Sequence, residues 1–252
     1  METILQVKDL TKIFKKGGHK ELCAVDHVSF EVKEGEILGI VGESGSGKST
    51  IAQMLLRLTD VSSGQILLEG QDITRLKGRR LAEVYDRVQM VFQTPAGSFD
   101  PRRTLGDGIC ESLKNKGVSR QEREKKAGML LEQCGLSADF LKRYPHEVSG
   151  GQCQRAAIAR ALMPDPKLLI LDEATSALDV TVQKQILELL EGLHRERQIS
   201  YLLICHNLAL VQQICDRVLV LGNGRVEEEG TPDQVIWHPQ SDYARALVQA
   251  AF

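Results

Sequence analysis

Residues 36–50 read Glu36-Ile-Leu-Gly-Ile-Val-Gly42-Glu-Ser-Gly-Ser-Gly47-Lys48-Ser49-Thr50. The first six form a short apolar run that ends on a glycine-rich turn and leads into a helical stretch at about 48–58. Strand, loop and helix in that order open a parallel α/β unit. The turn itself, Gly42 to Ser49, is a complete P-loop pattern. Its glycines let successive backbone N–H groups turn inward around a phosphate, and the N-terminus of the following helix adds its positive end. Lys48 is placed to reach β- and γ-phosphates, and the Ser49 hydroxyl to coordinate Mg²⁺. A glycine-rich turn without function shares this composition but not its position between a strand and a helix.

On the N-terminal side, residues 4–32 alternate apolar and polar in two bursts, ILQVKDL and AVDHVSFEV, split by a Gly- and Lys-rich turn. They read as antiparallel strands. On the C-terminal side, short β bursts follow at 65–68 and at 88–92 (VQMVF). From about 94 to 163 the character changes to helical stretches, including the charged, solvated SRQEREKK at 119–126. This reads as an inserted helical subdomain. The α/β pattern returns with LLIL at 168–171, a helix over 180–195, a strand at 201–204 and a helix near 207–214. A hairpin is expected around 222–224, and two short helices in the tail from Pro232, interrupted by His238-Pro239. The expected layout is an α/β core with an antiparallel β part over about 1–93 and 164–231, the helical insertion over about 94–163, and a helical tail over about 232–252.

Composition bounds the partners. The 252 residues are 42% hydrophobic and 26% charged, an ordinary globular balance. A net charge of −2 gives no basic footprint for nucleic acid. No apolar run approaches the roughly 20 residues needed to span a bilayer, and METILQVKDLTK lacks the apolar core of a signal peptide. A cytosolic chain is expected, serving a membrane only as a peripheral subunit. Six cysteines (Cys23, Cys110, Cys134, Cys153, Cys205, Cys215) show no CxxC pair and are expected to be small, reduced, buried hydrophobes. Cys205 and His206 do not by themselves make a metal site.

A second chemical motif is Leu168-Leu-Ile-Leu-Asp172-Glu173. Four apolar residues deliver two carboxylates to a strand end, where α/β sheets bind ligands. Asp172 is placed to hold Mg²⁺, and Glu173 to orient and polarise the attacking water of phosphoryl transfer. Alone, acidic residues after a strand serve equally well as helix caps; beside a P-loop they point to nucleotide hydrolysis.

Val148-Ser149-Gly150-Gly151-Gln152 selects a class among P-loop proteins. It resembles the signature sequence of ABC transporter nucleotide-binding domains, with Val148 where Leu is usual, and the resemblance covers nearly the whole chain. In family order, Gln93 is similar to the Q-loop glutamine, Ser176-Ala-Leu-Asp179 to the D-loop, and His206 to the switch histidine. The fold this implies is α/β, a P-loop ABC-type nucleotide-binding domain. The activity implied is ATP hydrolysis with Mg²⁺, in a head-to-tail sandwich of two such domains. The resemblance implies an ATP-binding set of Phe14, Gly42, Ser44, Gly45, Ser46, Gly47, Lys48, Ser49 and Thr50, closed by Ser149, Gly150, Gly151 and Gln152 of the opposing protomer, with Asp179. Ser49, Gln93 and Asp172 are the expected Mg²⁺ ligands, and Glu173, His206 and Gln93 the hydrolytic residues. Phe14 falls where the family stacks an aromatic on adenine; a core aromatic on the first strand is the other reading.

Finer likeness lies in Phe92-Gln93-Thr-Pro95-Ala-Gly-Ser98-Phe-Asp-Pro101-Arg102, in Arg143-Tyr-Pro-His-Glu147 and in the tail at 237–247. These resemble the ATPases of oligopeptide, dipeptide and nickel importers. The departures are Ser241-Asp242 in the tail, Ala174 after the glutamate, and Cys205 and Asn207 around His206. Many peptide-importer members carry a cysteine-rich extension that does not follow here, which leans the expected cargo towards nickel or a metal chelate. The implied partners are two transmembrane permeases, a separate substrate-binding protein and a second, identical or homologous ATPase, at the cytoplasmic face of the cell membrane. A non-transport ABC ATPase acting on a macromolecule is the alternative, as is a module that binds ATP without turnover. Intact Glu173 and His206 speak against the latter.

Overall fold

The computed structural model describes residues 2–16, 20–94, 96–174 and 178–251. The chain forms two compact units, one of residues 1–85 and 198–252, the other of residues 86–197.

The first unit holds strands β1 (Thr3–Lys16), β2 (Lys20–Lys33) and β3 (Ile37–Val41), helix α1 (Lys48–Leu55), and strands β4 (Ser63–Leu68) and β5 (Gln71–Asp72). Helix α2 (Arg79–Arg87) carries the chain into the second unit. There lie β6 (Val88–Val91), α3 (Leu105–Ile109), α4 (Glu111–Asn115), α5 (Arg120–Gln133), α6 (Gly150–Leu162), β7 (Leu168–Asp172) and α7 (Val180–Arg197). The chain then returns to the first unit through β8 (Ser200–Cys205), α8 (Leu208–Ile214), β9 (Arg217–Gly222), β10 (Arg225–Gly230), α9 (Pro232–Trp237) and α10 (Asp242–Ala251).

The two long N-terminal bursts are antiparallel strands, as their alternation requires. β1 pairs with β2 and with β4, and β4 with β5, in the order β2-β1-β4-β5. Register shifts along β1 bend this sheet. A second set in the same unit runs β10-β9-β3-β8, with β3 parallel to both neighbours and the β9–β10 hairpin antiparallel. The apolar runs of β3 and β8 are buried at every position, the mark of parallel strands covered on both faces. β10, RVEEEG, alternates exposed and half-buried residues as an edge strand does.

In the second unit β6 and β7 pair in parallel, and β7 is buried throughout. Helices α3, α5 and α6 each begin with a capping box, formed by Thr104 with Asp107, Ser119 with Glu122, and Ser149 with Gln152. The reciprocal bonds satisfy N–H groups that a helix start otherwise leaves open. The charged 119–126 segment opens α5, which buries Ala127, Gly128, Leu130 and Leu131.

Several elements differ from the reading of the sequence. Helix α1 stops at Leu55, three residues short of the expected end, because Arg57 turns to φ 57° and its neighbours wind into a turn. Helix α2 has no counterpart in the reading of the sequence: Leu81, Val84 and Tyr85 recur at helical spacing, but the run is short and mostly charged, and only Val84 is buried. Of the cysteines, Cys110, Cys134, Cys153 and Cys205 are buried as expected, whereas Cys23 is exposed. Burial pushes the Cys134 thiol up to about 12, which keeps it protonated and unreactive.

Candidate active site

Within the first unit, the two functional candidates emerge from neighbouring strand ends. β3 and β8 are in register, with Val41 opposite Cys205. The P-loop leaves β3 at Gly42 and His206 leaves β8 one residue past that pair, so both sit at the carboxyl ends of adjacent parallel strands. His206 is exposed.

The loop is held by contacts that only glycine permits. A Cβ on Gly42 would lie 2.1 Å from the carbonyl oxygen of Leu221. Gly47 has φ 106°, and a Cβ there would lie 2.4 Å from the carbonyl oxygen of Ala24. Gly47 is also the N-cap of α1, and no side chain caps that helix start. A helix start without a side-chain cap is of the kind that suits an anion. Lys48 is buried, with 5% of its surface exposed. Its Nζ donates to the carbonyl oxygens of Gly42 (2.8 Å) and Glu43 (2.7 Å) and to Ser46 Oγ (3.3 Å). A buried ammonium needs such partners, and all three belong to the loop that the lysine serves. Ser46 is buried, while Ser44, Gly45 and Ser49 are exposed and Thr50 half-buried.

Phe14 lies on β1 with 37% of its surface exposed, which removes the core-aromatic reading. Lys12 Nζ stands 4.9 Å from its ring centroid.

In the second unit the same logic repeats. Val91 of β6 lies opposite Leu171 of β7, so Gln93 and the Asp172-Glu173 pair leave adjacent strand ends. Gln93 Nε2 donates to Glu173 Oε2 at 2.6 Å. Asp172 is buried, with 9% exposed. Glu173 takes φ 47°, a left-handed conformation that a non-glycine residue adopts at some energetic cost and that recurs at functional sites. The sequence reading aimed Gln93 at Mg²⁺ and water; its bond to the glutamate carboxylate was not legible there.

The signature residues open α6 in this unit. Ser149 Oγ accepts from the Gln152 N–H (3.3 Å), and Gln152 Oε1 accepts from the Ser149 N–H (2.9 Å). Gly150 is exposed and Gly151 half-buried. Any side chain at Gly151 would meet Val182 at 2.6 Å, so this turn stays bare beside α7. Asp179 Oδ1 accepts from the Val182 N–H (3.0 Å) and caps α7. Ser176 and Ala177 of the expected D-loop, and Pro95, lie outside the described residues.

The family model described as "ABC transporter" matches residues 25–176, which span the P-loop, the signature and the Asp172-Glu173 strand end. The chain belongs to the ABC transporter ATPase family. It is 43% identical to the oligopeptide transport ATP-binding protein OppF of Streptococcus mutans, over 98% of this chain and 81% of the relative. It is 42% identical to the di/tripeptide transport ATP-binding protein DppF of Pseudomonas aeruginosa, over 99% of this chain and 79% of that protein. Among solved structures, the dimeric ATP-binding cassette MJ0796 bound to ADP and Pi has a TM-score of 0.82 at 31% identity, covering 90% of this chain and 98% of that one. The cbiO1 protein of Clostridium perfringens, part of the cbiONQ ABC transporter complex, has a TM-score of 0.81 at 30% identity, covering 94% of this chain and 92% of its own. The fold is thus the α/β P-loop fold of ABC ATPases, and the chain is an ATP-binding, ATP-hydrolysing enzyme. Among the described residues no helix is long and apolar enough to cross a membrane.

Proposed function

We propose that this chain is the ATPase subunit of an importer, converting the ATP-driven closing and reopening of a two-ATPase sandwich into uptake of peptides. The observation that carries the hydrolytic role is the bond from Gln93 to Glu173 at the ends of paired strands. It fixes the rotamer of a carboxylate whose neighbours along β7 are buried, which is what orienting a water requires. Phosphoryl transfer needs little covalent help from protein and much positioning.

The P-loop supplies the binding side. The glycine-rich turn from Gly42 to Ser49 and the start of α1, which no side chain caps, suit the phosphates of ATP, and Lys48 exchanges its loop carbonyls for phosphate oxygens. Phe14 offers an exposed ring for adenine. Ser49 of the first unit, and Asp172 and Gln93 of the second, each offer the oxygen that suits a hard cation, and Mg²⁺ bound with ATP would neutralise charge on the β- and γ-phosphates. His206, at the strand end beside the P-loop, provides a hydrogen-bonding partner for the departing phosphate. Ser149, Gly150, Gly151 and Gln152 serve the ATP of a second ATPase, with Asp179 at the same interface. Because nucleotide then forms part of the interface, its hydrolysis removes contacts and reopens the pair. We assign the core to about 1–93 and 164–231, the helical subdomain to about 94–163 and the tail to about 232–252.

Peptide cargo rests on the relatives, which are named as peptide transport proteins. The lean towards nickel or a metal chelate finds no counterpart among them. The partners are two transmembrane permeases and a separate substrate-binding protein, with this chain on the cytoplasmic face of the membrane. The test is uptake by host cells lacking this chain. Loss of labelled di- or oligopeptide uptake, restored by the wild-type chain, is the expected result. Intact peptide uptake with loss of nickel uptake would replace the cargo.

A further inference from the structure

We propose that Tyr243, in the tail helix α10, is a positioning residue for nucleotide binding that holds the P-loop from outside. The inference rests on the P-loop reading above. The backbone N–H of Glu43, the second residue of the loop, donates to the Tyr243 hydroxyl at 3.3 Å across 200 residues of sequence. The ring lies on Gly222 at the end of β9, where a Cβ would come within 2.9 Å of Cδ2 and Cε2. Only a bare backbone lets the aromatic ring come this near.

The helix that carries the tyrosine is itself anchored. The Glu228 carboxylate of β10 accepts from the N–H groups of Gln240 (2.9 Å) and Ser241 (2.8 Å), and Ser241 Oγ accepts from the Ala244 N–H (3.0 Å). Arg245 pairs with Asp242 at 3.0 Å and bonds the Gln240 carbonyl. The hairpin that bears Glu228 also grips the loop directly, since the Gly224 N–H donates to the Ser46 carbonyl at 3.0 Å. Glu43 is thus held on both sides of its backbone. Its N–H meets Tyr243, and its carbonyl accepts from Ser46 N–H (3.2 Å) and from Lys48 Nζ (2.7 Å). When Lys48 turns to phosphate its bond to that carbonyl is lost, and the tyrosine then carries more of the hold. A cradle ordered before ATP arrives spares the ordering cost that binding would otherwise carry.

The hydroxyl acts on the cradle alone, so its loss weakens ground state and transition state together and appears in KM rather than kcat. Tyr243→Phe keeps the ring on Gly222 and removes one hydrogen bond. In the full chain, ATP saturation curves and melting without nucleotide are compared with wild type. The expected result is KM for ATP raised about three- to tenfold, the span of one neutral hydrogen bond, with kcat and the nucleotide-free Tm retained. An unchanged KM overturns the proposal. So does a joint fall of kcat and Tm, which would make the hydroxyl a structural contact. A wild-type chain that fails to bind ATP would instead remove the P-loop reading itself.

Discussion

Glu173→Gln is expected to lower steady-state ATP turnover by about 10³-fold, within the range found when a positioned base is lost. The substitution is nearly isosteric. The new amide oxygen can still accept from Gln93 Nε2, so the 2.6 Å contact survives while the charge disappears. The backbone is also unaffected, because the left-handed φ of 47° costs glutamine what it costs glutamate. What is lost is the carboxylate that polarises water. ATP binding should persist, and the variant should accumulate as an ATP-bound dimer visible by size exclusion with ATP present. Turnover near wild type would strip Glu173 of its role.

Lys48→Ala acts at the other end of the cycle. Removing the ammonium deletes charge-assisted bonds to phosphate that contribute about 1.5–3 kcal/mol each, so ATP affinity should fall by roughly 100-fold or more. It also leaves the Gly42 carbonyl without its 2.8 Å donor, while Glu43 keeps the Ser46 N–H. Calorimetric titration with ATP reads the loss. Unchanged affinity would refute the P-loop assignment, whatever the effect on turnover.

The features legible in the sequence are those that local chemistry writes into adjacent residues. The run 37–41 is apolar because β3 is covered on both faces, and Gly42 and Gly47 sit where a Cβ would strike Leu221 and Ala24. Ser149-Gly150-Gly151-Gln152 is legible as the signature, and its outer residues form the capping box that opens α6. Helix α2 carries a weaker signal, since its stripe of Leu81, Val84 and Tyr85 is short, lies in a mostly charged run and buries only Val84. Three further facts depend on residues far apart in sequence. Gln93 reaches Glu173 across 80 residues, and Tyr243 reaches Glu43 across 200. The left-handed turn at Glu173 reflects the strand end and its surroundings, and no residue type announces it. The tail is legible as two short helices, but the target of its tyrosine hydroxyl is not, since Glu228 of β10 fixes where α10 begins.

The central claim, that this ATPase works on a membrane transporter, is tested most directly by recovering the tagged chain from detergent-solubilised membranes of its own host and identifying what accompanies it by mass spectrometry. Two multi-span permeases, with or without a second ATPase, are the result expected. Ribosomal or DNA-bound proteins in their place, or no membrane protein at all, would leave the ATPase standing and contradict the importer.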